Sequence, residues 1–212
     1  MKFIEYYKKG LIVQNQKNIK DVKDTAKRLL CGTQKKADVW LLTKIKNHLE
    51  RYVISDSVND ILSKVSTDEY LASMFAKEAS KQNMSEILQK KYLSIRKIIV
   101  DKLPGNGNKA IRLLEGELIY GNDRGGKATK SMDFKKNEEF IFAKVTTGGG
   151  GGQDNQYRDV IDFLTEAGKY DKKYGDKKFT ALVDGDYYTE EKLKTLKKFK
   201  TKNIRITSSD EF

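Results

Sequence analysis

The sequence predicts an α/β protein, α+β overall, in which a helical N-terminal region is followed by a mixed β-sheet flanked by helices. Up to about Leu103, apolar residues recur at three- and four-residue steps, the period of an amphipathic helix. The only proline, Pro104, is followed by GNGN at the sharpest change of composition in the chain. Beyond it, short apolar runs alternate with helical patterns, which indicates a layered sheet. We therefore expect a helical region at 1–104 and a mixed α/β region at 105–212, together forming one compact globular unit.

The balance of charge predicts an anionic partner. The chain has 42 Lys and Arg against 30 Asp and Glu, a net charge of +12. The excess is +9 over residues 1–104 and +3 over residues 105–212. Such an excess favours nucleic acid or an acidic membrane surface, although lysine-rich surfaces also occur in proteins that bind neither. We expect the helical region to wrap any bound anion.

Several kinds of site are excluded by what the sequence lacks. A single cysteine, Cys31, and a single histidine, His48, cannot form an intramolecular disulfide or a Cys/His zinc site. No apolar run approaches the roughly 20 residues that span a bilayer, and the start MKFIEYYKKG lacks the features of a secretory signal. We expect a protein of a reducing cytoplasm without membrane contact.

Helix starts and stripes organise the first region. The segment KADVWLLTKIKNHLERYV is the clearest helix, and its stripe is expected to face the core: Val39, Leu42, Ile45, Leu49 and Tyr52. Ser66 lies three residues before Glu69, the spacing of a capping box, and Asn83 stands likewise before Glu86. Both pairs predict helix starts.

Strand and turn signals organise the second region. IRLLEGELIYG is expected to turn at Glu115-Gly116, and SMDF to form a hairpin with EFIFAKVTT through a turn at Lys136-Asn137. The rest reads as a helix, QDNQYRDVIDFLTEAGK, that stops at Gly168, then a buried strand, a second helix and a closing strand. This β-α-β-α-β order favours parallel pairing of the last three strands.

The second hairpin carries the residues best suited to chemistry. Residues two apart in a strand share a face, so Lys144 is expected beside Phe142. The turn is expected to bring Asp133 opposite the segment 140–144. A carboxylate that holds Mg²⁺ and a lysine that orients or deprotonates water are what metal-assisted phosphodiester hydrolysis requires. The other interpretations are that Lys144 extends towards solvent from an apolar strand, or that the two residues form a structural ion pair.

The hairpin, the following QDN helix and the strand ALVDGDYY resemble the PD-(D/E)XK nucleases, specifically type II restriction endonucleases, over roughly Ser131 to the C-terminus. The family motif is an Asp, a gap, then Glu or Asp, any residue and Lys. The resemblance implies that Asp133 is the first acid and Lys144 the lysine, on a restriction-endonuclease-like sheet in which the helix after the lysine packs on the sheet and the next strand continues it.

One position departs from the motif. The acid two residues before the lysine is replaced by Phe142, so either a second metal-binding carboxylate comes from elsewhere in the chain, or the register of the motif is different, or the chain cannot cut. We rank the candidates Asp154, Glu139 and Glu86, in that order, and each has the alternative interpretation of a solvated carboxylate or a helix cap. The sequence also leaves open that the chain binds DNA without cutting it.

Two glycine-rich segments are candidates for DNA contact. Gly148–Gly152, including Gly150 and Gly151, joins the strand of Lys144 to a helix start, where backbone N–H groups favour an anion. Gln153, Asn155 and Gln156 are residue types that read base edges. In the loop GNDRGGKATKS, Arg124, Lys127 and Lys130 are candidate phosphate contacts. The alternative interpretations are a flexible tether and an ordinary solvated loop.

The sequence thus predicts a type II restriction endonuclease, which hydrolyses double-stranded DNA sequence-specifically with Mg²⁺ as cofactor. The family implies a homodimer, matching a palindromic site, and pairing with a DNA methyltransferase in a bacterial or archaeal cell. The first alternative is a nucleic-acid-binding protein that is non-catalytic or disabled. A third hypothesis is a protein-interaction domain, which would lack the salt-dependent affinity of phosphate binding.

Overall fold

In the computed structural model, residues 1–33, 35–121, 128–148 and 151–212 are described, and they form a mixed α and β fold. The described part contains seven α-helices: α1 Phe3–Leu30, α2 Val39–Tyr52, α3 Val58–Thr67, α4 Glu69–Phe75, α5 Met84–Ile95, α6 Gly151–Lys173 and α7 Glu190–Lys197. It contains seven strands: β1 Asp101–Lys102, β2 Ile111–Leu114, β3 Glu117–Tyr120, β4 Phe134–Lys136, β5 Glu139–Val145, β6 Lys178–Asp184 and β7 Ile204–Thr207. Short 3₁₀ turns cover Lys36–Asp38 and Ala79–Lys81. No helix of this part is long and apolar enough to cross a membrane.

The chain divides into two compact units. The smaller unit is the contiguous segment Lys8–Met84, and the larger consists of Met1–Tyr7 with Ser85–Phe212. This division differs from the expected boundary at Pro104, because α5 and β1 belong with the sheet. Leu93 and Val100 are buried in the same cluster as Ile141 of β5, so the helix before the proline is part of the sheet's own core.

The smaller unit is helical, and its core lies between α1, α2, α3 and α4. The core residues are Val22, Ala26, Leu41, Ile45, Leu62, Val65, Ala72 and Phe75. The predicted stripe of α2 is only partly right, because Val39 and Tyr52 are 47% and 61% exposed. The predicted cap at Ser66 is wrong: Ser66 lies within α3, which ends at Thr67, and the Asp68 side chain caps α4.

The larger unit is built on a five-stranded sheet of order β1-β4-β5-β6-β7. The first three strands pair antiparallel, and β5, β6 and β7 pair parallel, as the β-α-β-α-β pattern predicted. Both predicted turns are confirmed, with Glu115 and Gly116 at positive φ between β2 and β3 and Asn137 at φ 54° between β4 and β5. A two-residue turn sets the register of a hairpin. The turn between β4 and β5 therefore determines which residues lie opposite the strand of Lys144.

Helices cover both faces of the sheet. On one face, α6 and α7 bury a core that includes Phe142, Phe163, Phe179 and Leu196. On the other face, α5 buries Leu93 against β5 and β6. The prediction that α6 stops at Gly168 is wrong: the helix continues to Lys173, and Tyr170, beyond the glycine, is buried in the core.

The two ends of the chain meet within the larger unit. The backbone N–H of Phe3 donates to Asp210 Oδ1 at 2.9 Å, and the Tyr92 hydroxyl donates to the same oxygen at 2.6 Å. The Arg96 guanidinium donates to the carbonyl of Ser209. These bonds hold the segment after β7 against α5.

Candidate functional site

The candidate site lies at the carboxyl edge of the sheet. Strands β5, β6 and β7 run parallel, so their carboxyl ends meet there, and Asp133 precedes β4 at the same edge because β4 is antiparallel to β5. In open sheets with parallel strands, this edge is where ligands bind. The predicted apposition of Asp133 and the β5 segment is thus confirmed.

Asp133 is fixed between two strands. Its N–H donates to the carbonyl of Ile141 at 2.9 Å, its carbonyl accepts from Leu103 at 2.9 Å, and its Oδ2 accepts from the N–H of Ala143 at 2.8 Å. The carboxylate therefore takes the place of the next backbone carbonyl in the β4–β5 ladder. No described residue donates a hydrogen bond to Oδ1.

The environment of Asp133 favours its neutral form. Burial raises the pKa of this carboxyl, against the charge of Lys144, the hydrogen bond from Ala143 and the charge of Lys102. A carboxylate with a raised pKa, close to two lysines and at a sheet edge, is typical of functional sites.

Lys144 is half-buried next to the aromatic core. Its Nζ lies 4.5 Å from the centroid of the Phe142 ring, a cation–π contact, and Phe142 is itself stacked on Phe163 at 5.0 Å between centroids. The position of the motif's second acid is therefore a fully buried place in the core under α6.

A second carboxylate reaches this neighbourhood from α5. The ammonium of Lys102 forms an ion pair with Glu86, and its charge also lowers the pKa of Asp133. Burial in turn lowers the pKa of Lys102, against the charge of Asp133. The ammonium of Lys102 thus interacts with both Glu86 and Asp133.

A buried polar network also lies at this edge, and the sequence analysis did not identify it. Asp184 Oδ2 accepts from Ser209 Oγ at 2.5 Å and from Gln89 Nε2 at 2.9 Å, and Oδ1 accepts from the N–H of Ser209 at 2.9 Å. Burial raises the pKa of Asp184 against these bonds. Gln89 is fully buried, and its Oε1 has no hydrogen-bond partner in the described part of the chain. The signal in the sequence was an aspartate at the end of an apolar strand.

The acid ranked first, Asp154, lies in the first turn of α6. Its carboxylate accepts from the hydroxyl of Tyr187, which raises the pKa of that tyrosine. In the same turn, Gln156 accepts from Thr146 Oγ1 at 2.8 Å, and Gln153 Nε2 donates to the carbonyl of Thr147 at 3.4 Å. These contacts anchor the start of α6 to the end of β5.

The remaining DNA-contact candidates lie in different places, and the structure describes only some of them. Gly151 is exposed at the start of α6, and Asn155 is exposed one turn later. Lys130 is exposed at a cavity that it shares with Asp159 and Asp162 of α6. Three further candidates lie outside the described residues: Gly150, Arg124 and Lys127.

Glu139 lies at the other end of β5. It precedes Lys144 by five residues, roughly 17 Å along a strand at 3.3 Å per residue. Its carboxylate accepts from Arg205 at 3.1 Å and from Thr180 Oγ1. The structure therefore does not bring this candidate acid together with Asp133 and Lys144.

No three His, Cys, Asp or Glu side chains form a possible metal-binding group in the described ranges. Mg²⁺ differs from zinc in this respect, because it is commonly held by one or two protein carboxylates together with water and substrate phosphates. The donor set at this edge fits such a site. Asp133 offers a carboxylate oxygen that accepts no hydrogen bond from the described residues, and Lys102 already acts as a cation on both Asp133 and Glu86.

The turn after β6 is held by a glycine that tolerates no side chain. Gly185 has φ 111°, and a Cβ there would lie 2.0 Å from the carbonyl oxygen of Thr146. Beside this glycine, Asp186 Oδ1 accepts from the N–H of Gly148 at 2.8 Å.

We expect Gly185→Ala to destabilise the protein by more than about 1–3 kcal/mol, because both the backbone conformation and the clash oppose it. Gly168→Ala is the matched control. Nothing lies within 4 Å of that Cβ in α6, so it should be neutral or stabilise by roughly 0.5–1 kcal/mol. Urea unfolding of both variants measures the difference, and equal stabilities would contradict the placement of the turn.

Comparison of the chain with protein-family models, with curated proteins and with solved structures finds no match in any of the three.

Proposed function

We propose that this protein is a Mg²⁺-dependent endonuclease of double-stranded DNA, of the type II restriction kind. The observation that carries the proposal is the pair formed by Asp133, held on the Ala143 amide, and Lys144, whose charge acts on that carboxylate. The order of elements supports it. Helix α6 follows the strand of Lys144 and packs on the sheet, and β6 then continues the sheet in parallel, as the resemblance implies.

Asp133 and Glu86 are the residues that would hold the metal. Glu86 is the preferred candidate for the second acid, because Lys102 links it electrostatically to Asp133. The other two candidates are less suitable, since Glu139 lies at the far end of β5 and the carboxylate of Asp154 accepts a hydrogen bond from Tyr187. Mg²⁺ would supply Lewis-acid charge to the oxygens of a bound phosphodiester. A metal held by these two acids would supply the positive charge that Lys102 provides to both of them here.

Lys144 positions the water that attacks the phosphorus. Its ammonium is oriented by the face of the Phe142 ring and by the charge of Asp133, and both contacts come from the rigid hairpin. The start of α6 lies next to it, with the exposed amide of Asn155 available to base edges. Lysines near this edge contribute charge for DNA binding.

The proposed partners follow from the same resemblance. The protein is expected to act as a cytoplasmic homodimer on a palindromic sequence and to be matched by a DNA methyltransferase of the same specificity.

The proposal is tested by incubating mixed-sequence plasmid with the protein at low salt, with Mg²⁺ or with EDTA. We expect discrete fragments only with Mg²⁺, and loss of cleavage in Lys144→Met and Glu86→Gln. Lys135→Met, on the adjacent strand, is the matched control for Lys144 and should cut like the wild type. Intact plasmid under all conditions would overturn the proposal.

A DNA-binding protein without catalysis is the second candidate, and the buried Phe142 at the motif's acid position favours it. Calorimetric titration with Ca²⁺ separates the two. A nuclease should bind the ion in a manner that depends on Asp133, whereas a binding protein should take up no ion at this edge and should still shift DNA in a gel.

A further inference from the structure

A cleft of cations lies at the opposite edge of the sheet, where the parallel strands begin. This amino-edge cleft is a cavity of about 270 Å³, and four basic residues line it: Lys136, Lys178, Lys202 and Arg205. They come from β4, β6, the segment before β7 and β7 itself. Among the described residues that line this cavity, Glu139 is the only acid.

The strand register places these residues in a row. Lys136 pairs with Glu139, Glu139 pairs with Lys178, and Arg205 pairs with Thr180, and directly paired residues of neighbouring strands share a face. The face is the one that α5 covers nearer the carboxyl edge. Four strands at about 4.8 Å spacing give this row a width of roughly 14 Å.

The positive charge of the cleft is largely uncompensated. Glu139 is engaged by Arg205 at 3.1 Å and by Thr180. The ammonium of Lys136 lies 5.2 Å from the ring centroid of Phe212, and no ion pair joins Lys136, Lys178 or Lys202 to an acid within the described ranges. Like charges gathered in a concave surface repel each other, and a bound anion relieves that repulsion.

We infer that the amino-edge cleft binds the backbone phosphates of a nucleic acid, at a second contact separate from the carboxyl-edge site. The row of basic residues is too wide to be matched by a single small anion. A row of about 14 Å spans several charges of a DNA strand, which carries one per 3.4 Å of helix axis. The inference does not depend on cleavage, since the two edges lie roughly 17 Å apart along β5.

The test is the salt dependence of DNA binding. The affinity of a short fluorescent duplex is measured by anisotropy in EDTA over a series of chloride concentrations, for the wild type and for two double variants. Lys178→Ala with Lys202→Ala removes two charges from the cleft. Lys194→Ala with Lys198→Ala is the matched control: it removes two exposed charges, one in α7, which packs on the other face, and one on the residue directly after that helix.

The cleft variant should lose about 0.9 in the slope of log K against log salt for each phosphate contact removed, roughly 1.8 in all. The control should keep the wild-type slope, and thermal unfolding should be unchanged in both, since the four lysines are exposed. Equal slopes for the two double variants, or no binding by the wild type at low salt, would overturn the inference.

Two further measurements make the outcome specific. Inorganic phosphate at constant ionic strength should leave duplex binding by the wild type unchanged, and strong competition would instead assign the cleft to a small anion. Cleavage of saturating plasmid should persist in the cleft variant. If no variant cleaves, the proposed nuclease function fails, while the salt slopes still decide on the cleft.

Discussion

Asp133→Asn is expected to abolish metal-dependent cleavage while making the protein more stable at neutral pH. Loss of a metal-holding carboxylate removes several kcal/mol of transition-state stabilisation, roughly a 10³-fold loss of rate. Asn retains an oxygen that accepts from the Ala143 amide, so the hairpin stays intact. Stability rises because a buried carboxylate is replaced by a neutral group.

The pH dependence of this gain has a definite sign. The folded-state pKa of Asp133 is raised above its ordinary value of 3.8, so the native state holds this proton more tightly than the unfolded chain. The stability that this proton contributes is present below pH 3.8 and is lost as the pH rises through the folded pKa. The advantage of Asp133→Asn should therefore be small near pH 3.5, increase with pH, and level off above the folded pKa.

Urea unfolding between pH 3.5 and pH 7, beside a plasmid assay, measures both effects. Asp101→Asn is the matched control, because Asp101 is an exposed aspartate on the adjacent strand β1. It should cleave normally and change stability by no more than about 0.5 kcal/mol. A variant Asp133→Asn that cuts like the wild type would show that the metal is held elsewhere.

Phe142→Glu should unfold the protein or nearly so, and should not create a more active nuclease. The ring of Phe142 is fully buried and stacked on Phe163. Truncation of a buried Phe alone costs about 3–5 kcal/mol, and burial of a charged group in the core adds to that. The total is comparable with the whole stability of an ordinary domain, about 5–15 kcal/mol.

The control for this prediction is Phe142→Leu, which keeps the site apolar and should cost much less than Phe142→Glu. Circular dichroism and urea unfolding report the fold, and the plasmid assay reports activity. A folded Phe142→Glu protein with increased cleavage would mean that position 142 is the motif's acid position in function as well as in sequence, and that Glu86 does not serve in its place.

The parts of the fold that the sequence predicts are those set by local chemistry. The sequence predicts tight turns at Glu115-Gly116 and Lys136-Asn137 because Gly and Asn accept positive φ more readily than most residues do. Such turns fix the register of hairpins. The sequence alone therefore predicts that Asp133 and Lys144 lie on the two adjacent strands of this hairpin. The alternation of strand and helix likewise predicted the parallel pairing of β5, β6 and β7.

What the sequence does not predict depends on long-range contacts. Gln89 and Ser209 meet at Asp184 from 95 and 25 residues away, and no periodicity reports such a meeting. Glu86 precedes the composition change at Pro104, and no local pattern shows that α5 packs on the sheet, as Leu93 does. The ranking of Glu139 could have been corrected from the sequence, since five residues of strand separate it from Lys144.

The meeting of the two chain ends implies an order of events during synthesis on the ribosome. Residues 8–84 are contiguous, so the smaller unit can fold as soon as it emerges. The larger unit must wait, because Phe3 and Tyr92 need Asp210, and Asp184 needs Ser209, the third and fourth residues from the end of the sequence. A nascent chain that already carries Asp133 and Lys144 therefore lacks a finished carboxyl edge until Ser209 and Asp210 have also emerged.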